Sequence, residues 1–85
     1  MKNVKIGDVV KFYDEQSQEF NALVTAVHGI SSESNGMEWH PAINIVYITN
    51  ESAKRDVYGN QTERRSSVVY SAQQQAHGLY WTYLD

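Results

Sequence analysis

The length, composition and charge of the chain restrict its class. Its 85 residues, of which 41% are hydrophobic, have room for one small domain with a single core. The absence of cysteine excludes disulfides and thiolate metal sites, and the net charge of -3 disfavours nonspecific binding to polyanions. No apolar run approaches the roughly 20 residues of a membrane span or follows the N-terminal basic residues. We therefore expect a soluble protein without a signal peptide.

Five segments have the composition of β-strands. They are rich in β-branched and aromatic residues, and turn residues or polar stretches separate them. In chain order, the predicted strands lie near residues 8–14, 20–28, 42–49, 64–70 and 78–84.

Alternation within the strands assigns side chains to faces, because successive residues of a strand point to opposite sides. Val10 and Phe12 share one face of the first strand. The second strand has Phe20, Ala22, Val24 and Ala26 on one face and Leu23, Thr25 and Val27 on the other, and the last strand has Leu79, Trp81 and Tyr83 together.

The segment Ala42–Thr49 is the most β-prone in the chain. It is apolar on both faces, with Ile43, Ile45 and Tyr47 on one side and Val46 and Ile48 on the other. A strand that is apolar on both sides requires cover on both sides. We therefore predict that it is the central strand.

The connections between the predicted strands are polar. Residues 30–38 contain Asn35-Gly36, the strongest turn dipeptide of the chain, and Gly29 is predicted to end or bend the preceding strand. Residues 50–63 form a long connection with a predicted turn at Tyr58-Gly59-Asn60. No segment shows the periodicity of an amphipathic helix. Residues 1–85 are thus predicted to be a single all-β domain, a small five-stranded SH3-like barrel with long polar loops.

Two sets of motifs resemble known families. Gly7-Asp8-Val9-Val10, followed by residues 22–27, resembles the first hairpin of SH3-like barrels of the KOW and Tudor kind. A longer set of segments between residues 7 and 81 resembles small uncharacterised proteins encoded by tailed bacteriophages. The segments are 41–47, 56–61, Arg64, 67–69 and 75–81. The resemblance implies a virion component or a factor acting in the infected host, and it supplies no catalytic residues. Asn60 stands where an arginine is expected, which weakens a phosphate-binding role for that loop.

The three histidines are the only candidates for a metal or catalytic set. His28, His40 and His77 do not have the spacing of a ligand motif, and structural hydrogen bonding to loop backbone is the favoured interpretation. The serines lack a nucleophile elbow, and a barrel of this size leaves little volume for a pocket. We therefore predict no metal, no cofactor, no catalytic residues and no enzymatic activity.

The surplus of aromatic residues indicates a binding surface. The two tryptophans and six tyrosines cannot all lie in so small a core, and Trp, Tyr and Arg anchor protein interfaces. A competing interpretation is that these rings seal the ends of the barrel, and that the basic pairs are solvated or form salt bridges. The predicted partner-binding residues are Trp39, Lys54, Arg55, Tyr58, Arg64, Arg65 and Tyr80.

These observations favour a non-enzymatic protein-binding or assembly module. On the resemblance, its setting is the virion of a tailed phage or the cytoplasm of the bacterial host, and its partner is another phage structural protein or a second copy. Binding is expected through exposed aromatic residues and through strand-edge pairing of residues 50–63. The alternatives are a nucleic-acid-binding regulator that uses Lys54, Arg55, Arg64 and Arg65, and a phage factor that inhibits a host protein.

Overall fold

The fold is a closed β-barrel with two small hairpins. The computed structural model describes residues 2–49, 55–73 and 79–84. Within them, the strands are β1 (Val9–Tyr13), β2 (Glu19–His28), β3 (Ser32–Ser34), β4 (Met37–Trp39), β5 (Ala42–Ile48), β6 (Arg55–Asp56), β7 (Gly59–Asn60), β8 (Thr62–Tyr70) and β9 (Tyr80–Thr82), and a 3-10 helix spans Ser71–Gln73. No helix in this described part is long and apolar enough to cross a membrane.

Five strands close the barrel in the order β1-β2-β5-β8-β9. A ring of five strands cannot be antiparallel throughout, because antiparallel neighbours alternate in direction and closure would then require an even number. The parallel pair is β8–β9, and β9 pairs antiparallel with β1 to complete the ring. The prediction of a small all-β, five-stranded barrel is thus confirmed.

The strand boundaries differ slightly from the predicted ones. β8 begins at Thr62, two residues before the predicted start, because Thr62 and Glu63 pair with Ile48 and Tyr47 of β5. β9 is shorter than predicted and covers Tyr80–Thr82, the residues that pair with β1. The other three barrel strands agree with the prediction to within one residue at each end.

Both long connections contain hairpins. Asn35 and Gly36, with φ of 55° and 79°, form the two-residue turn between β3 and β4, so the predicted turn is confirmed. In the second connection β6 pairs with β7, and the turn lies at Val57-Tyr58. The predicted turn at Tyr58-Gly59-Asn60 was therefore misplaced by one residue, because Gly59 and Asn60 belong to β7.

The barrel interior is filled by one cluster of apolar side chains. The Tyr47 ring packs against two phenylalanine rings, with centroids 4.9 Å from Phe12 and 4.7 Å from Phe20. The buried Trp81 donates from Nε1 to the carbonyl of Pro41 at 3.2 Å. The buried apolar residues are Val4, Val10, Phe12, Phe20, Ala22, Val24, Ile43, Ile45, Tyr47, Val68 and Trp81, and Val27, Tyr70, Leu79 and Tyr83 pack against them. The predicted faces of the first and last strands are confirmed.

Asn44 lies where β5 meets irregularities in both neighbouring strands. The ladder to β2 shifts register between Val24 and Ala26, and the ladder to β8 shifts between Ile43 and Ile45. The Asn44 side-chain oxygen accepts the Ser67 amide at 2.9 Å and lies 2.8 Å from His28 Nε2. Such bulges bend the strands and let a small barrel close.

The bulge in β2 also changes which side chains face the core. Up to Val24 the predicted grouping is correct, and Phe20, Ala22 and Val24 share the buried face. Beyond the extra residue at Thr25 the alternation reverses, and Val27 packs against the core although it was assigned to the opposite face. The assignment of Ala26 to the same face as Val24 was therefore wrong, since an extra residue shifts a period-2 pattern by one.

The two faces of β5 differ in their cover. Ile43, Ile45 and Tyr47 are buried inside the barrel, as predicted. On the outer side Val46 is only half-buried and Ile48 is 53% exposed. β5 pairs with β2 and β8, as every strand of a closed ring pairs with two neighbours, so the barrel has no central strand, and the expected cover on both faces was wrong. A closed barrel shields one face of each strand and leaves the other outward.

Candidate functional site

An apolar surface crosses the outside of four barrel strands. The register places Val9 opposite Leu23, Leu23 opposite Val46, and Val46 opposite Arg64. Cross-strand neighbours of this kind lie close enough for their side chains to touch. The outer face of β5 is therefore continuous with apolar residues of β1 and β2 on one side and with an arginine of β8 on the other.

This surface is concave. A groove with a volume of about 310 Å³ lies over it, and we call it the outer groove. Its apolar members Val9, Leu23 and Ile48 are 47%, 44% and 53% exposed. The lining residues are Val9, Asn21, Ala22, Leu23, Val46, Tyr47, Ile48 and Thr62. The expectation that a barrel of this size leaves little volume for a pocket was wrong, because this groove lies between side chains on the outside and needs no space in the filled interior.

The two adjacent arginines of β8 point to different surroundings. Arg64 is exposed beside Val46 of the outer groove. Arg65 instead donates from Nε to the Tyr47 hydroxyl at 3.4 Å and from Nη2 to Glu15 at 3.3 Å. The hydrogen bond to Tyr47 is the main cause that raises the pKa of Arg65. The pair thus does not present two neighbouring cations on one surface.

Two of the predicted partner-binding aromatic residues lie beyond opposite ends of β5. Trp39 ends β4 just before β5, and Tyr58 lies at the turn of the hairpin that follows it. Seven residues of extended strand separate these ends, about 23 Å at ~3.3 Å per residue. The molecule is correspondingly long, with principal extents of 51 × 26 × 21 Å. Trp39 and Tyr58 therefore do not form one compact face.

Trp39 has a packing role. A Cβ at Gly29 would lie 3.1 Å from the Trp39 ring and 3.3 Å from the Pro41 side chain. Gly29 also has φ of 140°, a conformation that side chains disfavour. Gly29 ends β2, as predicted, and its missing side chain leaves room for the ring to pack on the backbone.

Tyr80 stacks on another tyrosine. Its ring lies 4.8 Å from that of Tyr13 with an interplanar angle of 16°, across the β1–β9 pair. The Tyr13 hydroxyl donates to Glu19 at 2.8 Å, and this hydrogen bond is the first cause that raises the pKa of Tyr13. Tyr80 is half-buried, and it lies in β9, whereas Trp39 lies in β4 and Tyr58 in the turn between β6 and β7.

The remaining predicted basic residues are in or next to the second hairpin. Lys54 lies outside the described residues, and Arg55 is described by its backbone, which pairs with Asn60. Strand-edge pairing through residues 50–63 was also predicted. The described part of this segment offers only the two-residue strands β6 and β7 before it joins the closed barrel at Thr62.

His40 is the centre of a buried polar cluster. It is 2% exposed, and its Nδ1 lies 2.8 Å from the Ser31 hydroxyl and 3.0 Å from the Tyr83 hydroxyl. Glu38 lies 3.4 Å from Nε2. A carboxylate beside Nε2 favours the proton on that nitrogen, so Nδ1 has one lone pair, which the two hydroxyls share as their acceptor while Ser31 also bonds to Tyr83.

The backbone of His40 is held as well. Its amide donates to the Gln73 side-chain oxygen at 3.2 Å, and its carbonyl accepts from the Gln73 amide at 2.6 Å. The ring makes edge contacts with Tyr70, Trp81 and Tyr83. Because Ser31 directly precedes β3 and Glu38 lies within β4, this cluster attaches the first hairpin to the barrel.

The order Glu38–His40–Ser31 invites comparison with a hydrolytic triad. A nucleophilic serine must reach substrate and have hydrogen-bond donors for the oxyanion nearby. Ser31 is 8% exposed, and its pairing is shared with Tyr83. The cluster fits a structural role, in which it holds the β3–β4 hairpin against the barrel, better than a reactive site.

The histidine hydrogen bonds differ from those predicted. His28 bonds the Asn44 side chain, and the His40 ring bonds side chains, where contacts to loop backbone were expected. His77 lies outside the described residues. Among the residues that are described, no group of three or more His, Asp or Glu side chains could hold a metal ion.

Sequence reasoning missed most of the outer groove. Val9, Leu23, Val46 and Ile48 were read as strand residues and not as site residues, although Arg64 beside them was selected. A signal was present, because β5 is apolar on both faces and β2 has Leu23 on the face opposite its core residues. A small closed barrel can bury only one of these faces.

Comparisons of the chain with protein-family models, curated proteins and solved structures found no match.

Proposed function

We propose that this protein is a non-enzymatic protein-binding and assembly module that docks through the outer groove. The observation that carries the proposal is the apolar outer face of β5, where Val46 and Ile48 continue into Val9 and Leu23. Contiguous exposed apolar surface is costly in water and marks interaction sites. A protein partner that binds there would bury the apolar surface that the barrel itself leaves exposed.

The chemistry of the groove favours a protein over a nucleic acid. Apolar walls with a single arginine at the rim resemble the composition of protein interfaces, in which arginine and large apolar residues are enriched. A phosphate backbone requires clustered cations, and Arg65 is turned toward Tyr47 and Glu15. The net charge of -3 opposes polyanion binding further.

The setting that we propose rests on the sequence resemblance to tailed-phage proteins. In that setting the chain is a virion-associated protein that docks onto another phage structural protein or onto itself. Mass spectrometry of purified particles tests the setting, because a virion component is present at a fixed ratio to the major structural proteins. Absence from particles would favour a factor that acts on a host protein through the same groove.

Affinity capture from cells that produce the chain tests the docking surface. We expect a partner to be captured by the wild-type chain and lost with Leu23→Ser and Ile48→Ser. Ile30→Ser is the matched control, because Ile30 is 82% exposed and lies outside the groove. Equal capture by all variants would contradict docking through the groove. Capture of salt-sensitive nucleic acid would instead support the regulator hypothesis.

A further inference from the structure

We propose that the outer groove binds an extended segment of a different protein, in which a carboxylate lies beside Arg64 and apolar side chains follow at every second residue. This inference rests on the proposed function and specifies the chemistry of the partner. Charge, spacing and polar side chains around the groove support the character of the segment. The sequence of this chain supports its origin in another protein.

Two cations lie on the groove side of the barrel. Arg64 is exposed and comes two residues after Thr62, which lines the groove, so both side chains point outward from β8. Lys11 has the same relation to Val9 on β1. The residues that line the groove are themselves uncharged. An acidic group in a bound segment is therefore attracted to the edges of the groove, and a basic group is repelled.

The two cations differ in their own contacts. Lys11 Nζ lies 3.7 Å from Glu19, which also accepts from the Tyr13 hydroxyl at 2.8 Å. Among the residues that the structure describes, no carboxylate pairs with Arg64. An incoming carboxylate is attracted by Arg64 alone on the β8 side, whereas on the β1 side it also meets the negative charge of Glu19. We therefore place the acidic end of the segment at Arg64.

The spacing of the groove fits an extended chain. Val9, Leu23, Val46 and Arg64 form a row across four neighbouring strands. Neighbouring strands lie about 4.8 Å apart, so Arg64 and Val9 are separated by roughly 14 Å along this row. In an extended chain, side chains on one face recur at about 6.6 Å, twice the rise of ~3.3 Å per residue. With an acidic residue at Arg64, the second following residue lies over Val46 and Leu23, and the fourth lies next to Val9.

Polar side chains of the groove favour an extended segment over a helix. Asn21 and Thr62 line the groove and are exposed. The amide of Asn21 and the hydroxyl of Thr62 can each donate and accept hydrogen bonds. An extended segment has unpaired backbone N–H and C=O groups that these side chains can bind. In a helix the same backbone groups already bond to one another.

The size of the groove fits two apolar side chains. Its volume of about 310 Å³ lies at the lower end of the range for ligand pockets, about 300–1,000 Å³. Val9, Leu23 and Ile48 keep about half of their surface exposed. Aliphatic side chains at the second and fourth positions of the segment would cover this surface, and a longer apolar run would extend beyond it.

This chain does not offer such a segment to a second copy of itself. In either direction, an acidic residue with apolar residues two and four positions away occurs four times in the sequence. Every occurrence includes at least one buried apolar side chain, from the set Val4, Val10, Phe12 and Trp81. A second copy would have to open its core to present one of them. We therefore assign the segment to a different protein.

An NMR titration of the full chain with synthetic peptides tests the proposal. The probe is Asp-Ser-Leu-Ser-Leu with both ends capped. We expect the amide signals of Leu23, Val46 and Thr62 to shift when the peptide is added at millimolar concentration. The complex should be weak and exchange rapidly, because so short a segment covers little surface.

Two matched peptides separate charge from spacing. Lys-Ser-Leu-Ser-Leu changes only the charge, and it should bind about two- to fivefold more weakly, the range expected for one exposed ion pair. Asp-Leu-Leu-Ser-Ser has the same composition as the probe, but its adjacent leucines point to opposite sides of an extended chain. Because one leucine then leaves the groove, this peptide should bind about tenfold more weakly.

Substitution of Arg64 tests the place of the acidic end. Arg64→Glu should reverse the preference, so that the lysine peptide binds about two- to fivefold more tightly than the aspartate peptide. Arg64→Gln should remove the preference. Lys5→Gln is the matched control, since it removes the same charge from an exposed residue that precedes β1 and does not line the groove. The preference should persist in this control.

Equal binding of the aspartate and lysine peptides to the wild-type chain would overturn the acidic end. Equal binding of the two aspartate peptides would overturn the extended arrangement. No shift at the groove with the probe at millimolar concentration would overturn the segment as a whole. The proposed function is tested separately, because loss of a captured partner in Leu23→Ser and Ile48→Ser would still support docking if the peptides fail. Equal capture by all variants would contradict docking itself.

Discussion

The two faces of β5 carry similar residues and have different surroundings. Ile43 and Ile45 are at most 1% exposed inside the barrel, whereas Ile48 on the outside is 53% exposed. Composition does not separate these isoleucines, since both sets favour a strand and both favour burial. The difference is that the chain itself covers the inner face. The free energy available from covering the outer face can be gained only through a partner.

The inner face should show the largest effect on stability. Ile45→Ala removes a fully buried side chain between β2 and β8, and we expect a loss of about 2–5 kcal/mol in the free energy of unfolding. Urea denaturation followed by circular dichroism measures it. A loss below 1 kcal/mol would mean that the two faces are not distinguished by packing.

Removal of the buried His40 side chain should have the next largest effect on the free energy of unfolding. His40→Leu keeps an apolar side chain among Tyr70 and Trp81 but removes the ring nitrogen that both the Ser31 and the Tyr83 hydroxyl contact. We expect a loss of about 1–3 kcal/mol for these buried groups. The same urea titration measures it. Hydrogen exchange of β3 and β4 should accelerate, because the cluster fastens this hairpin. Unchanged exchange there would contradict that role.

The bulges that define the two faces depend on Asn44. Asn44→Ala removes the acceptor of the Ser67 amide, which lies at 2.9 Å. We expect a loss of about 0.5–1.5 kcal/mol, the usual value of one hydrogen bond. His28→Ala is the matched control, because it removes the other partner of Asn44 and leaves the backbone amide satisfied. An equal or larger loss in the control would contradict a bulge-stabilising role for Asn44.

Alkaline pH should lower the stability of the folded chain, because it ionises Tyr83, which packs against the core. Burial raises the pKa of Tyr83 and outweighs the hydrogen bond from Ser31, which lowers it. The folded state therefore favours the neutral phenol. The neutral phenol of Tyr83 makes its full contribution to stability below the pKa of the unfolded state, about 10. This contribution is lost as the pH rises through the higher pKa of the folded state.

Denaturation midpoints measured across this pH range should fall with rising pH. The fall should be shallower in Tyr83→Phe than in the wild-type chain, because the variant has no phenol to ionise at this position. Tyr13→Phe provides a comparison, since the pKa of Tyr13 is raised chiefly by the Glu19 hydrogen bond at the surface. An unchanged slope in Tyr83→Phe would contradict the assignment.

The outer face should show the smallest effect on stability. Ile48→Ala should change the free energy of unfolding of the isolated monomer by no more than about 0.5 kcal/mol, because the side chain is half exposed and has solvent on one side. Denaturation at low protein concentration measures it. A loss comparable with that of Ile45→Ala would show that the outer face is part of the core.

Sequence reasoning was reliable where one local pattern determined the structure. The turn at Asn35-Gly36 follows from two residues that tolerate positive φ, and the inward positions of β1 follow from strict alternation. It failed where a tertiary constraint decided. The extra residue at Thr25 reversed the faces of β2, and nothing in the local sequence announces it.

The selection of site residues also succeeded where a local property sufficed and failed where tertiary structure decided. Arg64 was selected for its charge and does lie beside the outer groove, whereas its neighbour Arg65 is engaged by Tyr47 and Glu15. Val9 and Leu23 were not selected, because an aliphatic residue in a strand is usually core. Only the closure of the barrel shows which aliphatic side chains remain outside.

Site-specific photo-crosslinking from Ile48 tests most directly whether a protein covers the outer face of β5. A photoreactive residue is placed at position 48 in the full chain. In the control it replaces the exposed Glu33 on the β3–β4 hairpin. In cells that produce the chain, we predict a discrete protein adduct from position 48 and none from position 33. Equal labelling from both positions, or no protein adduct from position 48, would contradict the account.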